Sequence, residues 1–167
     1  MKTRSALFVV LILLSCARTG AQNRGPSTPE ERARAVQVSK ALRMDPTAAA
    51  VQQDRQWVMI WLIQVPDISV KLCPGLLGDW GDAKDDNRGA LVATMMASEA
   101  AFVIENPKKA KDDKAVYLAG LDGTLDGYQA IRKKSPNFKV QTLDEALQAR
   151  ADGKLEEYVR QAVKKCK

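Results

Sequence analysis

The sequence predicts an all-α domain, one bundle of about six helices with roughly antiparallel neighbours. Three observations carry that expectation. After residue 28 apolar residues recur at three- and four-residue intervals, the spacing of a helix that buries one stripe. No run longer than three or four residues shows the β-branched alternation of a strand. Helix start and stop signals punctuate the chain at Thr28-Pro29, Val65-Pro66, Asn106-Pro107, Ser135-Pro136 and Gly153.

Residues 1–21 read as an export leader. Lys2 and Arg4 supply a positive start, Ala6–Leu14 is a nine-residue apolar stretch, and Ser15–Ala21 is small and polar, the three-part pattern of a signal peptide. A membrane span needs about 20 apolar residues, so the stretch is too short to be an uncleaved anchor. Two cuts compete. Thr19-Gly20-Ala21 suits cleavage after Ala21, which releases the domain. Leu13-Leu14-Ser15-Cys16 resembles the lipobox of bacterial lipoproteins, with Leu14 departing from the usual residue type. That resemblance implies a lipid-modified Cys16 and a membrane-tethered protein.

Residues 22–27 form a polar tether, and residues 28–167 the helical domain. Thr28-Pro29-Glu30-Glu31 combines a cap, a first-turn proline and a capping-box glutamate and opens a helix to about Arg43. Asp45-Pro46 repeats the signal for a second helix, which stops at Gln64 because the residue before Pro66 avoids helical backbone. Its second half, Trp57–Ile63, is apolar on every side, and this places it at the bundle centre. Pro66–Lys84 is irregular. Asp85 or Asp86 caps a third helix, about Asn87–Glu105, that buries Leu91, Val92, Met95, Met96, Phe102 and Val103. A fourth, Lys108–Lys134, carries glycines that invite a kink. Thr142-Leu143-Asp144-Glu145 is a second capping box, opening a short helix that ends at Gly153. Lys154–Lys165 closes the domain. No period of 30–45 residues repeats, so a solenoid is not supported.

Composition removes whole classes of chemistry. The chain has no histidine, which excludes Ser-His-Asp and Cys-His hydrolysis, His-ligated zinc or haem, and imidazole proton relays. Loss of the leader takes Lys+Arg from 26 to 23 against 20 acidic residues, leaving a net charge of +3. The basic clusters at Lys108–Lys111, Arg132–Lys134 and Lys164-Lys165 fall at helix ends, where the macrodipole favours cations; nucleic acid is not expected as a partner. Cys73 and Cys166 are the two cysteines beyond the leader, and in an oxidising compartment they read as one disulfide. No metal or cofactor is expected.

Candidate sites follow from residues that break the pattern. Glu99 lies among Met95, Met96, Ala100, Ala101 and Phe102. A carboxyl in apolar surroundings has a raised pKa and suits a general acid, and with Asp122 or Asp126 it could form the two-carboxylate pair of a glycoside-cleaving enzyme. The plainer expectation for Glu99 is exposure, or an ion pair with Arg55 or Lys114. Leu121–Tyr128 nearly repeats itself at a step of four, putting Asp122 and Asp126 on one face and Gly123 and Gly127 on another; those glycines fit a close helix crossing or the floor of a ligand cleft. Trp57 and Trp61 are core or a ligand-stacking pair. Trp80, a lid over the core or a sugar-stacking platform, lies in a loop of acids (Asp79, Asp82, Asp85, Asp86) without the spacing of a calcium loop. The expected function is therefore an exported binding or accessory protein (periplasmic, envelope or secreted) with an unidentified protein or small-molecule partner in the cell envelope. A carboxylate-dependent hydrolase of glycan or cell wall is the alternative.

Overall fold

Helix α1 (Pro29–Met44) starts where its capping box places it: Thr28 Oγ1 accepts from the Glu31 amide at 3.2 Å, and Glu31 Oε2 accepts from the Thr28 amide at 3.0 Å. The structure, a computed structural model, describes residues 24–78 and 86–166. The leader, Cys16 and Trp80 lie outside the described residues. Seven α-helices and no strand occur among the described residues.

After α1 the Asp45 carboxylate turns back on its own chain, accepting from the Thr47 amide at 3.3 Å. This local bond competes with helix initiation, so α2 runs Gln52–Gln64 after a single 3₁₀ turn at Ala49–Val51, several residues later than the proline signal suggests. The irregular connection contains one helical turn, α3 (Pro74–Leu77), the seventh helix that the periodicity does not show. Gly78 follows it at φ +82°, where a Cβ would lie 2.9 Å from Thr142 Cβ. Helix α4 is Asp86–Glu105. Asp112 caps α5 (Asp113–Lys134), its side chain accepting from the Ala115 amide at 3.2 Å, and α5 runs unbroken through its glycines. In α6 (Gln141–Ala151) the expected capping box does not form: Thr142 lies inside the helix, beside Gly78, and Glu145 accepts from Gln141 Nε2 instead. Gly153, at φ +70°, ends α6, and α7 (Leu155–Ala162) closes the fold with a 3₁₀ turn at Val163–Lys165.

Helix α4 is the axis of the molecule. Its Leu91 and Met95 belong to a core shared with α3, α5, α6 and α7. Ala93, Ala97, Ala100 and Val103 on its other side belong to a core shared with α1 and α2. The expectation that α2 is central is overturned. Val58, Trp61 and Leu62 are buried against α1 and α4, while Ile60 is 56% and Ile63 81% exposed. The α4 stripe Ala90-Ala93-Ala97-Ala100 lets neighbouring helices approach closely; the bulky α2 cannot occupy that position.

Cys73 and Cys166 form the expected disulfide, with Cα atoms 5.4 Å apart across 93 residues of sequence. In the chain-entropy picture a loop of that size contributes about 4–5 kcal/mol. It fastens the end of α7 to the connection before α3, where Gly75 leaves room: a Cβ there would lie 3.2 Å from the Ala162 carbonyl oxygen. The Asp67 carboxylate makes a second fastening, accepting from the Ser27 amide and hydroxyl at 2.7 Å each and from Arg32 at 2.7 Å. The last residues of the polar tether are thus pinned to the end of α2.

Candidate functional site

Gly120, Gly123 and Gly127 stand at i, i+3 and i+7 on α5, one face of a helix with 3.6 residues per turn. That face meets α4 and α1 with almost no clearance. A Cβ on Gly120 would lie 2.6 Å from Glu99 Cγ, one on Gly123 2.7 Å from Ser98 Cβ, and one on Gly127 3.4 Å from both the Leu42 carbonyl oxygen and Thr94 Cγ2. Gly123 and Gly127 are therefore crossing points between helices, and they do not floor a cleft.

Beside this crossing a groove of about 750 Å³ opens between α1, α4 and α5, within the size range of small-molecule sites. Small residues make its walls: Ser39 from α1, Ser98 and Ala101 from α4, and Ala119 and Ala130 from α5. Ser39 Oγ donates to Ser98 Oγ at 3.3 Å. Val36, Met44 and Phe102 add larger apolar surface, with Met44 74% exposed. Lys40, Lys133 and Glu105 also line it.

Arg43, at the end of α1, is tied down inside this groove. Its Nε and Nη2 donate to Asp126 at 2.9 and 2.6 Å, and its Nη2 to Asp122 at 2.8 Å. Arg150 from α6 approaches from the other side, donating to Asp126 at 2.8 Å and to Asp122 at 3.3 Å. Asp122 and Asp126 do share a face, as their spacing implies, and two guanidiniums neutralise them there. The four side chains join α1, α5 and α6.

The structure corrects the exposed placement of Glu99. The residue is fully buried, and its Oε2 accepts from the Lys71 amide at 3.0 Å while Oε1 has no hydrogen-bond partner. Burial pushes its carboxyl up to about 8, so it is predominantly neutral at pH 7. Arg55 pairs with Asp86 instead, at 3.0 Å. Glu99 packs on Gly120, and Asp122, two residues on, projects about 200° around α5. Glu99 and the Asp122–Asp126 face are thus separated by the body of the helix.

Trp57 and Trp61 stack on each other, ring centroids 5.5 Å apart. Trp61 is buried, and the guanidinium carbon of Arg34 sits 4.0 Å from the Trp57 centroid, so neither ring offers an open face to a ligand. Among the described residues no cluster of three or more acids or cysteines could hold a metal ion.

Sequence reasoning missed Arg43 and Arg150, which carry no local signal, and missed Lys40, Ser39, Ser98 and Ala119 as groove residues. Only the alternation of small residues on α4, at Ala90, Ala93, Ala97 and Ala101, hinted that other helices come close there. No protein-family model, curated protein or solved structure matches the chain.

Proposed function

We propose that the protein is an extracytoplasmic binding module that takes an amphipathic ligand in the groove between α1, α4 and α5. The groove carries the reading: small and apolar residues share its lining with polar ones, and with Arg43 paired to Asp126, the lysines Lys40 and Lys133 against Glu105 favour an anionic end on the occupant. The leader pattern of residues 1–21 and the Cys73–Cys166 bridge support a site of action outside the reducing cytosol. A carboxylate hydrolase has the raised pKa of Glu99 in its favour. Against it, Glu99 is closed to solvent, and its proposed partners already hold two arginines.

The test uses anilinonaphthalene sulfonate, an amphipathic anion, as probe. The folded protein should bind one molecule. Ala119→Trp, which fills the groove, should abolish binding, and Lys40→Glu with Lys133→Glu should weaken it about tenfold, with the melting temperature held in each case. Binding that survives Ala119→Trp unchanged would remove the groove from consideration. Glycan hydrolysis that is lost in Glu99→Gln with stability intact would decide for the enzyme.

A further inference from the structure

We propose that the outer face of α2 is a surface that rests on a lipid bilayer. Every exposed residue of this helix is uncharged: Gln52, Gln53, Gln56, Ile60, Ile63 and Gln64. The other helices of two turns or more all present charged side chains to solvent. Ile60 and Ile63 lie on one side of α2, 56% and 81% exposed, and the half-buried Met59 extends the apolar surface toward Gly89 and Ala93 of α4, in a shallow groove that the Arg55–Asp86 pair also lines. The charges nearest this face are already paired: Arg24 with Glu31, Arg34 with Asp54, and Arg55 with Asp86.

What commits the face to a membrane is where the chain leaves the domain. Arg24 Nη1 donates to Gln64 Oε1 at 3.2 Å, beside Ile63, and the Ser27–Asp67 bonds fix this exit at the same end of α2. Cys16, the residue that the lipobox resemblance marks for a lipid, lies eight residues before Arg24. Extended chain spans at most about 3.5 Å per residue, so a lipid on Cys16 would hold the domain within about 30 Å of the bilayer, with α2 at the tethered end. Two isoleucines inserted at an interface contribute by apolar burial, and with the neighbouring charges paired the contact needs no anionic lipid.

The experiment is partition of the full chain onto vesicles of phosphatidylethanolamine and phosphatidylglycerol, and onto neutral phosphatidylcholine vesicles, measured by co-sedimentation at low and high salt. Ile60→Ser with Ile63→Ser should lower the partition coefficient at least tenfold on both vesicle types, at both salt concentrations, without moving the melting temperature. Three results would overturn the proposal: equal partition of the double variant, which assigns all binding to the N-terminal segment; binding confined to anionic vesicles and abolished by salt; or no vesicle binding together with a dimer that the double variant dissolves, which assigns the face to a second copy of the chain.

Discussion

Helices α2 and α4 show that one apolar run does not place a helix: α4, the more apolar of the two over its whole length, is central, and α2 is not. Trp57–Ile63 of α2 is the most apolar stretch of the folded chain, yet α2 lies at the edge with two isoleucines in solvent. Helix α4 carries Thr94, Ser98 and Glu99, and all three are buried at the centre. The difference teaches that the central place follows the apolar character of the whole helix together with side-chain size at the crossing. Backbones can approach only where one side of each contact is small: α5 supplies Gly120, Gly123 and Gly127 opposite Glu99, Ser98 and Thr94 of α4, and α4 supplies Ala93, Ala97 and Ala100 toward α1 and α2. The buried threonines are satisfied locally: Thr94 Oγ1 donates to the Ala90 carbonyl at 2.8 Å, and Thr124 Oγ1 to the Gly120 carbonyl at 2.8 Å.

The largest effect should come from closing the crossing. Gly123→Val drives a side chain into Ser98 and should destabilise the fold by about 3 kcal/mol or more, read as the shift of a urea unfolding midpoint; a loss below about 1 kcal/mol would show that α4 and α5 can separate without penalty. Next comes Glu99. Its folded pKa of about 8 lies above the ordinary carboxyl value of 4.5, so the folded state holds the proton more tightly than the unfolded state does. The contribution of Glu99 to stability is then fullest below pH 4.5, falls between 4.5 and about 8 by on the order of 1 kcal/mol per pH unit, and is flat above. Glu99→Gln keeps the acceptor for the Lys71 amide and should remove this slope, leaving the variant more stable than the parent at pH 8 in the same titration. The smallest effects separate the two sides of α2: Val58→Ala should cost about 1–2 kcal/mol, whereas Ile63→Ala should change stability by less than about 0.5 kcal/mol. Equal costs would mean that the outer face is covered by the protein itself.

Legibility in the sequence tracks how local each determinant is. The Thr28–Glu31 box was readable because both its bonds close within three residues. The second box at Thr142 misled, because Thr142 faces Gly78 across the fold and its cap position is already helical. Glu99 stood out as an acid in apolar sequence, but its burial depends on Gly120 in another helix, and no periodicity within α4 reports that. The groove is least legible of all: Ser39, Ser98 and Ala130 are unremarkable in place and converge only when α1, α4 and α5 meet.

By itself the sequence determined the all-α class and the positions of most helix ends, and it pointed to the pairing of Cys73 with Cys166, since caps and prolines act through short-range geometry and these are the two of its three cysteines beyond residue 21. Only the tertiary structure decided that α4 is the axis and α2 the edge, that Asp122 and Asp126 are held by Arg43 and Arg150, and that Glu99 is closed from water. Those outcomes rest on which small residue of one helix meets which large residue of another, a property of pairs far apart in the chain that neither member carries alone.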